Sequence, residues 1–241
     1  PRREGEILVV DVGGPVTVVS FASLDLDSFF PRFAFRRSFA TLGLNQIYVR
    51  DFDFSWYQRG LKYTRGGFEG ALRLLQGQID DLGAPAVAIG ASMGGYASVL
   101  YGARLNLAGA LAFSPQTVLD AETRAGMGDH RWPKAYAKLD SRAPRPFDLR
   151  QELAGSPLPV TLWCGQDDPL DVAHAEQIAG LANVRLHMLP AKHDVPHMLR
   201  DGGTLRDAIL DFIIGLPGID TDAVEALRAR APQALAAVLD D

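Results

Sequence analysis

A serine framed by glycines is the first feature of the sequence that could carry out chemistry. Residues 90–94 read Gly-Ala-Ser-Met-Gly, the pattern G-x-S-x-G, with Ser92 at the centre. An apolar run, 86–89, precedes the pattern, and a helix is predicted to begin near Met93. A serine on such a strand-to-helix turn exposes its hydroxyl above a sheet, where it can act as a nucleophile. The alternative is a serine that only caps the helix, beside glycines that only allow tight packing.

Three carboxylates follow a later apolar run and could orient a catalytic base. The run 160–164 leads into Gly165, and Asp167, Asp168 and Asp171 come directly after it. A carboxylate can accept the N–H of a histidine, fix its tautomer and stabilise the imidazolium. The same acids also suit a solvated turn that caps the following helix, so this alternative stays open.

His193 follows the last apolar run, 184–188, and is the candidate general base. An imidazole has an ordinary pKa of about 6.5, so it can take a proton from a serine and return it near neutral pH. His197, in the same loop, is the rival. The remaining histidines have no second ligand at metal spacing, and we therefore expect no metal and no other cofactor. They are His130, His174 and His187.

The elements that must position these residues alternate between strand-like and helix-like segments. The predicted strands are 7–10, 16–21, 46–49, 86–89, 107–113, 160–164 and 184–188. Several are apolar on both faces, which is typical of parallel strands covered by helices on both sides. The clearest helix is predicted over 68–82, where apolar residues recur every three or four positions and Gly83 ends the pattern. The predicted fold class is α/β, with a mostly parallel sheet and helices on both faces.

The length of 241 residues suits one domain with one large core. Within a single domain, 1–241, we expect 114–158 to form a small lid-like insert and 217–241 to add a C-terminal helical segment. Helices are predicted over 204–214 and, with a kink at Pro232, over 221–239. The last helix carries an apolar stripe that is a candidate homodimer surface: Val224, Leu227, Leu235 and Val238.

Composition argues against several classes of protein. A net charge of −5 and a pI near 5.5 do not suit a nucleic-acid binder. No apolar run approaches the roughly 18 residues of a membrane span, and the N-terminus lacks the apolar region of a signal peptide. The single cysteine, Cys164, cannot form an internal disulfide. We therefore expect a cytoplasmic protein without nucleic-acid or membrane partners.

The order of these features resembles the α/β-hydrolase superfamily, over nearly the whole chain. The serine pattern lies between a strand and a helix, Asp168 follows Gly165 by three residues, and His193 follows the last strand. The resemblance implies a serine esterase-like enzyme with Ser92 as nucleophile, Asp168 as acid and His193 as base. Such an enzyme cleaves a small ester, thioester or amide through an acyl-enzyme. The alternatives are an acyltransferase with the same triad and a non-catalytic binding protein of the same fold.

The resemblance also implies an oxyanion hole made of backbone N–H groups. One donor is expected from Met93 and the second from Ala22 or Ser23, which follow the strand 16–21. The chain departs from many esterases here, because no run of glycines follows that strand. A main-chain donor needs no particular side chain, so either residue could serve.

Two segments are expected to form the substrate site, since ligands of open α/β sheets bind beyond the carboxyl ends of the strands. One follows the strand 46–49 and the other is the insert. Rings beside arginines suit a substrate with an apolar part and a polar or anionic group. The candidate contacts are Trp56, Tyr57 and Arg59 in the first segment, and His130, Arg131 and Trp132 in the second.

Overall fold

An eight-stranded sheet forms the centre of the computed structural model, which describes residues 1–24, 33–143 and 146–229. The strands are β1 (Arg2–Glu4), β2 (Ile7–Val10), β3 (Thr17–Phe21), β4 (Asn45–Val49), β5 (Ala86–Ala91), β6 (Gly109–Phe113), β7 (Val160–Gly165) and β8 (Val184–Leu189). Their order across the sheet is β1-β2-β4-β3-β5-β6-β7-β8. Strands β1 and β2 pair antiparallel with their neighbours, and the pairs from β4 to β8 are parallel. The predicted α/β class with a mostly parallel sheet is confirmed.

Helices cover both faces of this sheet. They are α1 (Arg36–Phe39), α2 (Gly67–Leu82), α3 (Met93–Arg104), α4 (Ala121–Gly126), α5 (Pro133–Arg142), α6 (Leu149–Ala154), α7 (Pro169–Ala179), α8 (Val195–Asp201), α9 (Leu205–Ile214) and α10 (Thr221–Ala229). In β3, Val19 and Phe21 pack with α2 and α3, whereas Val18 packs with α9 and α10. Alternate side chains of one strand therefore enter two separate cores, which is why the predicted strands are apolar on both faces.

The C-terminal helix packs against the core over the part that the structure describes, Thr221–Ala229. Val224 and Leu227 of α10 are buried in the same core as α9. These two residues therefore belong to the core of this chain. Pro232, Leu235 and Val238 lie outside the described residues. No helix in the ranges that the structure describes is long and apolar enough to cross a bilayer.

Candidate active site

Ser92 lies at a strained turn between β5 and α3, as its glycine pattern predicts. Its φ of 53° and ψ of −121° are unfavourable for a residue with a side chain. The Ser92 N–H donates to the carbonyl of Phe113 at 2.8 Å, which ties the turn to the end of β6. A Cβ at Gly90 would lie 2.1 Å from the Gly94 oxygen, and one at Gly94 would lie 2.2 Å from the Phe21 oxygen. Only glycine fits both positions, so the pattern builds this turn.

His193 pairs with Asp171, and this corrects the predicted partner, Asp168. The Nδ1 atom of His193 lies 2.8 and 2.9 Å from the two carboxylate oxygens of Asp171. Asp168 instead caps α7, accepting from the N–H groups of Leu170 at 3.0 Å and Asp171 at 3.2 Å. The reason is local, because Pro169 starts the helix and the residue before it becomes the N-cap. Asp171 then lies in the first turn, where its carboxylate reaches the histidine.

The two rival residues of the prediction lie elsewhere. Asp167 is exposed, and its N–H donates to the carbonyl of Ala191. His197 is also exposed and pairs with Asp194, the N-cap residue of its own helix. Neither residue joins the pair of His193 and Asp171.

The pKa of Asp171 reflects two opposing effects. Burial of the carboxyl by itself would raise its pKa, but the hydrogen bonds and charges of His193 and Arg131 outweigh burial and lower it. Asp171 is therefore held as a carboxylate, the form that accepts the imidazole N–H.

Gln116 is a site residue that the sequence prediction missed. It is fully buried, and its amide atoms Oε1 and Nε2 lie 3.1 and 3.0 Å from Ser92 Oγ. The indole N–H of Trp56 lies 3.2 Å from Oε1. Because an indole nitrogen can only donate, Oε1 faces Trp56 and Nε2 can donate to Ser92. The sequence offers one signal for Gln116, namely its position three residues beyond the carboxyl end of β6, the side of a parallel sheet where ligands bind.

Similarity in three dimensions agrees with this architecture. No protein-family model matches the sequence, and a search of curated proteins gave no match. The capsule O-acetyltransferase of Neisseria meningitidis serogroup A superposes with a TM-score of 0.66 at 15% identity, over 86% of this chain and 92% of that one. A Pyrococcus furiosus esterase gives 0.55 at 18% identity, over 86% and 84%. A Pseudomonas aeruginosa hydrolase gives 0.54 at 18% identity, over 86% and 92%. The chain has the α/β-hydrolase fold.

Within this α/β-hydrolase fold, the backbone donors near Ser92 are only partly as predicted. The N–H of Ala22 donates to the carbonyl of Val49 at 2.9 Å, so it is already used, which corrects that candidate. Ser23 is held beside the turn because its hydroxyl donates to the carbonyl of Ala91 at 2.9 Å. In the described ranges, no protein acceptor takes the N–H of Ser23 or of Met93. These two N–H groups are therefore available as main-chain donors at the turn.

The loop after β4 is built around the buried carboxylate of Asp51. Its oxygens accept from the N–H groups of Asp53 at 2.8 Å, Ser55 at 2.6 Å and Tyr57 at 2.9 Å. This satisfies a tightly wound backbone in which Trp56 and Tyr57 have φ values of 51° and 59°. Because these backbone groups are satisfied, the polar loop can be buried, and Trp56 and Tyr57 are buried with it. The sequence instead predicts that these rings contact a substrate.

The three predicted residues of this loop have different surroundings. Tyr57 lies wholly in the core, and its hydroxyl donates to the carbonyls of Ala22 and Val49. It therefore supports the end of β3 from within the core, whereas the sequence predicts a substrate contact for it. Trp56 is also buried but reaches the site through Gln116. Arg59 is half exposed and pairs with Asp53 at 3.9 Å.

The insert supplies Trp132 and Arg131 to the site. The Trp132 ring is half-buried and lies 5.5 Å from the His193 ring, between centroids. Arg131 donates to Asp171 at 2.7 Å. His130 is exposed, and no contact within the described residues joins it to Ser92 or His193. The structure thus brings together Trp132 and His193 but not His130.

One cluster at the site has the residue types of a metal centre. Donor atoms of Asp168, Asp171 and His193 lie within 4.8 Å of one another. Arg131, however, contacts both carboxylates, at 3.6 and 2.7 Å, and so supplies their positive charge. The Nδ1 atom of His193 is also engaged with Asp171. These residues therefore fit an ion-pair network better than a metal.

Proposed function

We propose that this chain is an enzyme that transfers acyl groups through a covalent intermediate on Ser92. The carrying observation is the combination of a strained serine turn with a half-buried histidine, His193, that pairs with the buried carboxylate of Asp171. Ser92 follows β5, whereas Asp171 and His193 follow β7 and β8 of the same parallel sheet, so the chain order is Ser, Asp, His. This is the order of nucleophile, acid and base in the α/β-hydrolase arrangement.

The proposed reaction begins when Ser92 Oγ attacks the acyl carbon of an ester, thioester or amide. The serine proton passes to His193, the new O–C bond forms, and the carbonyl electron pair moves to the oxygen. N–H groups of Met93 and Ser23 donate to that oxyanion. The bond to the leaving group then breaks, and the leaving group takes the proton from His193. Water repeats the same steps on the acyl-enzyme and releases the acid.

Transfer of the acyl group to a hydroxyl is the second candidate function. Its support is the capsule O-acetyltransferase, which superposes with a higher TM-score, 0.66, than the hydrolase or the esterase, 0.54 and 0.55. Both candidates share the acyl-enzyme and differ only in the acceptor, which is water in one and an alcohol in the other.

A fluorophosphonate probe tests the shared intermediate without a guess about substrate. We expect intact mass to show one phosphonyl adduct on the wild type, located at Ser92 by peptide mapping, because the base activates that hydroxyl. Ser92→Ala should abolish the adduct, and His193→Ala should slow labelling by several orders of magnitude. Ser141→Ala, at an exposed serine on α5, is the matched control.

Two results would count against the proposal. One is a wild-type protein that the probe does not label, and the other is Ser92→Ala labelled as fast as wild type. Product analysis with p-nitrophenyl acetate, with and without an added alcohol, then separates hydrolysis from acyl transfer.

A further inference from the structure

The carboxylate of Asp171 is shared between His193 and an arginine. On one side Asp171 faces Nδ1 of His193 at 2.8 Å, and on the other it accepts from Nη1 of Arg131 at 2.7 Å. The side chain of Asp171 is fully buried, and that of Arg131 is only 18% exposed. A charge-assisted contact this short and this buried is only weakly screened by solvent.

Arg131 is itself held from behind by Asp129. The guanidinium donates to the two carboxylate oxygens of Asp129 from Nε and Nη2, each at 3.1 Å, and the Arg131 N–H donates to the same group. Asp129 is fully buried and also accepts from the Tyr136 hydroxyl at 3.0 Å. The arginine therefore has one fixed position.

His174 completes this anchor with its two ring nitrogens. Its Nδ1 faces the N–H of Val118 at 3.4 Å and must accept there. The proton then resides on Nε2, which donates to Asp129 at 2.8 Å. Although burial opposes ionisation of Asp129, the donors from His174 and Arg131 outweigh it and hold the pKa of this carboxyl well below its ordinary value.

His193 therefore has a carboxylate in direct contact and a guanidinium one contact farther away. Asp171 touches the imidazole, Arg131 lies directly behind Asp171, and Asp168 lies 3.6 Å from Arg131 with its side chain 21% exposed. The Trp132 ring packs against both the guanidinium, at 4.8 Å, and the His193 ring, at 5.5 Å. Arg131 is thus the cation that offsets the negative charge which would otherwise stabilise a protonated His193.

We propose that Arg131 is a positioning residue that acts on His193 through Asp171. It fixes the carboxylate toward the imidazole, and its positive charge offsets the negative charge that Asp171 presents to His193. The role of His193 as base rests on the proposed function, but the electrostatic coupling between Arg131 and His193 does not. The two claims can therefore fail separately.

The test compares Arg131→Gln, Arg131→Lys and wild type by two measurements. Histidine-labelled NMR titration follows protonation of His193 directly, and the rate of fluorophosphonate labelling at Ser92 is measured over the same pH range. Arg104→Gln is the matched control, because it removes a paired arginine that contacts Glu152 away from the site.

In Arg131→Gln we expect the His193 titration and the acidic limb of labelling to move to higher pH by about one unit, a tenfold change in proton affinity. Arg131→Lys should leave the titration in place, because it keeps the charge. It should lower the labelling rate on the plateau, because lysine lacks the planar guanidinium that contacts Asp129 and Asp171 at the same time. Arg104→Gln should match wild type in both.

An unchanged His193 titration in Arg131→Gln, with Ser92 still labelled, would overturn the inference. An equal shift of the His193 titration in Arg131→Lys would also overturn it. So would a labelling rate on the plateau of Arg131→Lys that equals the wild-type rate. This last comparison decides the matter if Arg131→Gln does not fold. A shifted titration in a protein that the probe never labels would instead overturn the proposed function and leave the coupling standing.

Discussion

At the scale of single residues, Asp168 and Asp171 show why spacing alone chose the wrong partner for His193. Both follow the same strand, and the sequence offers either as a carboxylate beside a proline. Only the start of α7 at Pro169 separates them, since it makes Asp168 the N-cap and places Asp171 one turn later. Asp171 faces His193, whereas Asp168 faces the backbone of its own helix.

This difference predicts opposite consequences for two matched substitutions. Asp171→Asn should lower the labelling rate by up to roughly 10⁴-fold, because an amide favours the wrong imidazole tautomer. Asp168→Asn should leave the labelling rate within a few-fold, because asparagine still caps a helix about as well. Labelling kinetics on both variants, with circular dichroism to check folding, measure this. A large loss in Asp168→Asn with a small one in Asp171→Asn would contradict the assignment.

Gln116 gives a second prediction at the residue scale. In Gln116→Glu the acceptor that faces Trp56 remains, but the N–H that faces Ser92 is lost. We expect labelling to slow by about 10²-fold or more, because this N–H is then no longer available to the oxyanion that forms on the attacked group beside Ser92 Oγ, as when an oxyanion donor is removed. Trp56→Phe is the comparison, because it removes the indole N–H that orients the amide and leaves the amide itself. We expect it to cost less than Gln116→Glu. Equal rates in Gln116→Glu and wild type would show that this contact plays no part.

At the scale of elements, the loop after β4 depends on one carboxylate. Asp51 accepts from three backbone N–H groups, and an asparagine there would turn an amide N–H toward one of them. We therefore expect Asp51→Asn to lower the free energy of unfolding by about 1–3 kcal/mol. Urea unfolding measures this, with Asp53→Asn as the neighbouring control in the same loop. An unchanged midpoint for Asp51→Asn would mean that the loop is held by its aromatic packing alone.

The elements also show what a sequence can and cannot predict. Buried strands such as β5 and the long helix α2 were found within about two residues, because apolar periodicity reports burial directly. The strand β1 was missed because its sequence, Arg-Arg-Glu, carries no apolar pattern and only pairs at the edge with β2. The contact of Gln116 with Ser92 and the burial of Tyr57 depend on segments that are far apart in the chain. Local periodicity carries no information about such contacts.

At the scale of the whole molecule, two sets of buried carboxyls oppose each other in the pH dependence of stability. Burial dominates for Glu6 and Asp51 and raises their pKa values, so their ionisation on the way to neutral pH opposes folding. For Asp129 and Asp171, donors and cations outweigh burial and lower the pKa values. A lowered carboxyl pKa stabilises the fold above the unfolded value, and this contribution is lost as pH falls through the folded value.

The stability that Asp129 contributes should therefore disappear in acid, whether the buried carboxyls together raise or lower the free energy of unfolding. We expect the difference in unfolding free energy between wild type and Asp129→Asn to be largest near neutral pH. It should shrink by at least about 1 kcal/mol as the pH falls from about 6 to about 3, because the unfolded chain then binds a proton that the native state does not. Urea unfolding of both proteins across this range measures the difference directly. Asp120→Asn, at the half-buried cap of α4 where the carboxylate accepts from the Thr123 N–H, is the comparison, and its difference should change less over the same pH range. A constant difference for Asp129→Asn would mean that the buried chain of Asp129, Arg131 and Asp171 contributes packing but no charge-dependent stability.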